Sequence, residues 1–309
     1  AGYEFVTYAE YAEGHRADKL VVMRHDVDRQ VERARRLAEV ELEVGVKASY
    51  YFRDKFINEN SDDIRYIESL GHEVGYHYED LVMEKGDVDK AYARFMRNIE
   101  KMRQVADVRT ITMHGAPTSR FDSKEMWRVC DYKKLGLIGE PQFDVDWNDM
   151  FYLTDTGRSW NGVSRRDKVA ERVLAWKAKG WVYEKTDDVI RALKEGSFPN
   201  RVMMTTHPQR WADNMCEWLI LLLFLCRCNH GGNVCCDNWQ NNKDCSCYRR
   251  SDNDYKQSRR NNGDCGRNRS CDDDCDCDRR NDCVWERNTS CGCEGDEFIQ
   301  TRTFSGFQN

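Results

Sequence analysis

The sequence predicts an α/β fold, a (β/α) barrel of parallel strands, followed by a cysteine-rich tail of different character. Three observations predict it. Short apolar runs alternate with segments of helical spacing, an order that requires crossover connections and therefore parallel strands. Residues able to do chemistry fall at the ends of those runs, where a β/α barrel carries its active site. The composition then breaks: one cysteine, Cys130, lies between Ala1 and Trp211, and fourteen lie between Cys216 and Cys293.

Each element has a local reason. Lys19 to Arg24 is an apolar run ending in charge, a buried strand. From Gln30 to Val44 apolar residues recur at helical spacing, and Gly45 suits the residue after a helix end. Ala48 to Phe52 is the next strand. Ser61 can cap a helix through Leu70, closed by Gly71. Glu73 to His77 is strand-like, Asp87 can cap a helix to about Val105, and Arg109 to His114 alternates as a strand. Further strands are expected near Leu137, Phe151 and Val182. Thr186 or Asp187 can cap a helix from Asp188 to Lys194, and Arg201 to Thr206 is the last strand. Trp218 to Leu225 is too short to span a membrane, which takes about 20 apolar residues; it reads as a helix docked on the barrel.

The chain of 309 residues, 40% of them hydrophobic, can bury a substantial core, and its net charge of −6 gives no reason to expect nucleic acid or an anionic membrane as partner. Short basic pairs such as Arg165-Arg166 read as solvated faces. The barrel with its terminal helix is assigned to residues 1–228 and the tail to 229–309. A cysteine-poor barrel without a visible leader favours the cytoplasm, although the chain starts at Ala1 without a methionine. Oligomerisation is left open.

Four segments carry the chemistry: Arg24-His25-Asp26-Val27-Asp28, Gly71-His72-Glu73-Val74-Gly75-Tyr76-His77-Tyr78-Glu79-Asp80, Met113-His114-Gly115-Ala116-Pro117 and Thr206-His207-Pro208-Gln209-Arg210-Trp211. Two carboxylates at Asp26 and Asp28 can divide the work. One binds a divalent cation and the other accepts a proton from water. The plain alternative is that Asp28 caps the helix that follows. His77, His114 and His207 each end a strand, whereas His72 begins one and belongs at the other end of the barrel.

These segments resemble the polysaccharide deacetylases, the NodB-like carbohydrate esterases of family four, and more closely a branch with H-D-V-D, G-H-E-[IV]-G-Y-H-Y-E-D and H-P-Q-R-W motifs. The resemblance runs from about Leu20 to Trp211. It implies a distorted (β/α) barrel and metal-dependent removal of an N-acetyl group from a sugar or polysaccharide, with zinc the expected cation. It implies Asp26 as general base, Asp28 and His77 as metal ligands, and His207 as the general acid that protonates the leaving amine. The family usually has a second ligand four residues after the first histidine, and here that position is Leu81. A hydrolytic zinc site usually has three protein ligands and one open position. The third is therefore assigned to His114, ahead of Glu79, Asp80 and His25, with a histidine merely hydrogen-bonded at the barrel mouth as the alternative.

Tyr78, Trp160 and Trp211 are candidate sugar-stacking platforms, and Arg158 could bind an anionic group or the catalytic carboxylate. Simple packing or a surface ion pair is the competing reading of each. Two other functions compete: a metal-independent hydrolase of cyclic amides or imides on the same fold, which the missing second histidine favours, and an inactive barrel that binds glycans. In the tail, C-x-C pairs such as Cys226/Cys228 could bind soft metals, or fourteen cysteines could form a disulfide scaffold with Asn268 and Asn288 as glycosylation acceptors. The favoured reading is that the tail sequence is itself in error, because it lacks apolar periodicity and turn logic.

Overall fold

A computed structural model describes residues 1–156, 159–160 and 171–211, with residues 218, 221, 222 and 225 of the following segment. The chain divides into two compact units, Ala1–Arg227 with Thr303–Asn309, and Cys228–Arg302. The second unit, and with it the expected tail over 229–309, lies outside the described residues. Among the described residues no helix is long and apolar enough to cross a membrane.

In chain order the elements are β1 (Glu4–Val6), α1 (Tyr8–Ala12), β2 (Leu20–Val27), α2 (Val31–Glu43), β3 (Ser49–Phe52), α3 (Phe56–Glu59), α4 (Ser61–Ser69), β4 (Glu73–Tyr78), α5 (Asp80–Met83), α6 (Val88–Arg103), β5 (Ile111–Met113), α7 (Pro141–Asp144), β6 (Phe151–Thr154), α8 (Val173–Ala178), α9 (Thr186–Glu195) and β7 (Arg201–Thr206). The strands form one sheet in the order β5-β4-β3-β2-β7-β6, with β1 beside the first half of β2. Every pair is parallel. The sheet curls into an incomplete (β/α) barrel, as the alternation of strands and helices predicts.

The two sides of β2 show how the sequence achieves this. All eight of its residues are buried. Even-numbered residues Leu20 and Val22 pack on the concave side with Val6, Tyr8, Tyr11, Tyr51 and Met203. Odd-numbered Val21 and Met23 pack outward in the larger core under the helices, which includes Leu37 of α2 and Phe95 of α6. Fully burying one such side chain contributes roughly 1.5–3 kcal/mol. Trp218, Leu221, Leu222 and Leu225 lie in helix and are fully buried in this outer core, at the i, i+3, i+4, i+7 spacing of one helix face.

Several expectations need correction. The first strand and helix, β1 and α1, were not foreseen, although Thr7 and Glu10 form a capping box that is written in the sequence as T-x-x-E. The strand expected near Leu137 reduces to a single bridge between Thr110 and Gly139. The one expected near Val182 is irregular chain between α8 and α9, because the turn closing α8 sits just before it. Asp28 does not cap α2. Gln30 occupies that position in the left-handed region, at φ 52°, without a side-chain bond to the helix.

Gly75 lies in β4 between β3 and β5. A Cβ there would run into the Tyr51 ring and come within 2.9 Å of the Thr110 carbonyl oxygen. Tyr51 is fully buried and bonded through its hydroxyl to Thr110, so it has nowhere to retreat. Gly75→Ala is expected to destabilise the fold by about 1–3 kcal/mol, the usual cost of overpacking. Urea denaturation measures this, and an unchanged midpoint would refute it.

Candidate active site

The C-terminal ends of β2, β4, β5, β6 and β7 deliver the polar residues of one pocket. Parallel register sets who meets whom: Asp26 pairs with Tyr51, His77 with Thr112, and His25 with Thr206. Side chains two apart on a strand share a face. Arg24 and Asp26 therefore point into the barrel together, and Glu79, just past the end of β4, reaches the same pocket beside His114.

Asp26 is almost fully buried and is held by a two-pronged bond from Arg24, Nε to Oδ1 at 2.8 Å and Nη2 to Oδ2 at 2.7 Å. Burial pushes its pKa up, but the Arg24 guanidinium, His77 and His207 together outweigh burial and hold the carboxyl far below its ordinary value. Asp26 is thus an anion in a nearly dry setting.

Asp28 is the centre of the histidines. Its Oδ1 lies 3.5 Å from His77 Nε2 and 3.4 Å from His114 Nε2, and its Oδ2 lies 3.7 Å from His207 Nε2. Oδ1 is buried with no hydrogen-bond partner among the described residues. The His77 and His207 rings are held by their other nitrogen. His77 Nδ1 donates to the Thr112 carbonyl at 3.1 Å, so Nε2 carries the lone pair. Burial lowers the His77 pKa to about 4, which keeps the ring neutral near pH 7. His114 Nδ1 lies 3.0 Å from Glu79 Oε2, an off-line approach that falls short of a formed hydrogen bond.

His207 is different. Its Nδ1 is 2.5 Å from Asp155 Oδ1, and its backbone N–H donates to Asp155 Oδ2 at 3.0 Å. Asp155 is fully buried and is also bonded by Trp211 Nε1 at 3.0 Å. Burial opposes a charge on His207, but Asp155, with Asp26 and Asp28 beyond it, raises its pKa above the ordinary value.

One carboxylate oxygen and two imidazole nitrogens, on Asp28, His77 and His114, lie within 4.8 Å of one another. Ligand atoms around a tetrahedral zinc at ~2.0–2.2 Å stand about 3.3–3.5 Å apart. The Asp28 to histidine separations match that spacing, and the unsatisfied Asp28 Oδ1 fits the chemistry of a cation ligand. The residues present therefore fit a divalent cation.

The structure thus brings together Asp26, Asp28, His77, His114 and His207. It leaves out others. His25 faces away from the pocket, bonded to Thr206 Oγ1 at 2.7 Å and Glu41 Oε1 at 2.8 Å, because it alternates with Asp26 along β2. Asp80 is turned toward Tyr76 and Asn98, at 2.9 and 3.1 Å. Tyr78 is no platform: it alternates with His77, is fully buried and packs edge-on against Phe95 and Trp127. Trp160 and Trp211 are also buried, with ring centroids 5.6 Å apart, and neither offers a face to a sugar. Arg158 lies outside the described residues. The role suggested for it, holding the carboxylate, is filled at Asp26 by Arg24. Two partners were missed, Arg24 and Asp155. Period-two alternation from Asp26 could have found Arg24, and position at the end of β6 could have found Asp155.

Removing Arg24 leaves a buried anion unpaired. Arg24→Met is expected to cost about 3–5 kcal/mol at pH 7. The folded pKa of Asp26 is depressed, so the pair's contribution is present above the unfolded carboxyl value of about 3.9 and fades as pH falls through the folded one. In the variant the unpaired carboxyl takes up a proton on acidification, so the penalty shrinks toward pH 4. Urea midpoints at the two pH values check this, and an equal loss at both would refute it.

No family model matches the chain. No curated protein matches it either. Solved structures similar to it include a pseudoenzyme of carbohydrate esterase family 4, BA3943 from Bacillus anthracis, at 15% identity and a TM-score of 0.42, over 68% of this chain and 62% of that one. They also include a family 4 carbohydrate esterase from Streptomyces lividans, solved in complex with acetate, at 16% identity and a TM-score of 0.39, over 68% and 87% of the two chains. A third is PdaA of Bacillus subtilis, a family 4 carbohydrate esterase, at 13% identity and a TM-score of 0.40, over 69% and 76%. The chain spans somewhat less than two thirds of the BA3943 structure. The family of these solved structures, pseudoenzymes included, is the one that the four motifs resemble.

Proposed function

We propose that this chain is a divalent-metal-dependent amide hydrolase that removes an N-acetyl group from a sugar or polysaccharide, giving acetate and a free amine. One observation carries the reading: a carboxylate oxygen with no donor, Asp28 Oδ1, lies between two histidines, with a buried anion and a protonatable histidine on the same pocket. The sugar as substrate comes from the motif resemblance. The missing second motif histidine, which favoured a metal-independent cyclic amide hydrolase, is offset by His114 at a ligand's distance from Asp28.

A cation held by Asp28, His77 and His114, when bound, polarises water and the acyl carbonyl. Asp26 accepts the proton of the attacking water, and Arg24 fixes the carboxylate in place for that task. Attack on the amide carbon gives a tetrahedral species that collapses only when nitrogen leaves as an amine. His207 supplies that proton from Nε2, and Asp155 holds the ring by Nδ1 and favours its charged form.

Asp26→Asn should lower acetate release from N-acetylglucosamine oligomers by about 10²–10⁴-fold, the usual worth of a general base. Zinc content should be unchanged; undiminished acetate release would sink the assignment. His207 must be protonated to act, so activity should fall as pH rises through its raised pKa. Asp155→Asn removes the charge that raises it. The alkaline limb of the pH–rate profile should move to lower pH by roughly 1–3 units, and an unmoved limb would refute the acid role.

A further inference from the structure

We propose that Glu79, clamped by Arg53, orients His114 as the third ligand of the cation site, in place of the second motif histidine that Leu81 replaces. The inference rests on the cation-dependent reading above.

Glu79 is nearly buried, at 7% exposure, and its two oxygens are divided between two partners. Oε1 accepts from Arg53 through both Nε, at 3.0 Å, and Nη2. Oε2 is left facing His114 Nδ1 at 3.0 Å. An ionised carboxylate can only accept, and the two Arg53 N–H groups on Oε1 pair with that form of Glu79. Nδ1 must therefore carry the ring proton in any bond to Glu79, which leaves the lone pair on Nε2, the atom 3.4 Å from Asp28 Oδ1. The backbone already holds the ring in range, because His114 N–H donates to the Tyr78 carbonyl at 2.8 Å.

The remaining candidates for third ligand are committed elsewhere. Glu79 spends both oxygens on Arg53 and His114. Asp80 is bonded to Tyr76 and Asn98, and His25 lies on the opposite side of β2. β4 thus supplies the ligand His77, and Glu79, the residue just past its end, faces the ligand at the neighbouring strand end. A carboxylate on the far nitrogen of a metal-bound histidine fixes its tautomer and raises its basicity.

The test is zinc affinity of the full chain by chelator competition, with cobalt absorption as a second readout and circular dichroism to confirm folding. Glu79→Gln should weaken zinc binding by about 10–100-fold and change the cobalt spectrum. His114→Ala should weaken it at least as much, and the double variant no further than His114→Ala alone. Arg53→Met, which keeps the carboxylate, should weaken binding in the same direction by less. Wild-type affinity in Glu79→Gln, or losses that add independently in the double variant, would overturn the proposal. A chain that takes up no zinc overturns it together with the cation-dependent reading. The expected affinity series without acetate release supports it and overturns only the hydrolase.

Discussion

The pocket depends on how the ring nitrogens of three histidines are assigned. In two of them Nδ1 is bonded to a partner on the barrel wall, the Thr112 carbonyl for His77 and Asp155 for His207, and in His114 it lies 3.0 Å from Glu79 Oε2 without a formed bond. Each Nε2 then faces Asp28. The partners differ in charge, and that difference divides the labour. Burial leaves His77 uncharged beside the neutral Thr112 carbonyl, whereas the Asp155 carboxylate makes His207 readily protonated. The ligand and the acid of the proposed hydrolysis are thus the same side chain with different neighbours.

The same logic applies to the two carboxylates of the first motif. Asp26 has both oxygens engaged by Arg24 and is held as an anion. Asp28, two residues on at the strand end, keeps an oxygen with no donor. One carboxylate with both oxygens engaged and one with an oxygen left over are what the proposed hydrolysis requires. Both stand at the C-terminal end of β2, Asp26 within the strand and Asp28 just past it.

Much of this was legible in the sequence. Strand ends located Asp26, Asp28, His77, His114 and His207, because a parallel barrel gathers its strand ends whatever their separation along the chain. The long, strongly periodic elements α2 and α6 were equally plain. What failed was reading which way side chains point. Tyr78 and His25 looked like pocket residues by proximity in the motif, and alternation turns both outward. Trp160 and Trp211 looked like sugar platforms, but they pack against each other across a long stretch of chain, which no local pattern reveals. The short apolar stretches at Leu137 and Val182 were ambiguous because such runs have no period to arbitrate strand from coil. Asp155 carries no motif of its own, and only its place just past the end of β6 marks it.

The alternation of β2 has a consequence for how the protein reaches this structure. Arg24 and Asp26 face a polar interior, while His25 between them sits against Glu41, Tyr50 and Trp218. Sliding the strand by one residue during folding would press an acid and a guanidinium into aromatic packing and leave an imidazole in their stead. Mispaired chains would thus strand charge in oil on one side and lose a matched pair on the other. The residues that equip the pocket also proofread the register of the barrel's central strand.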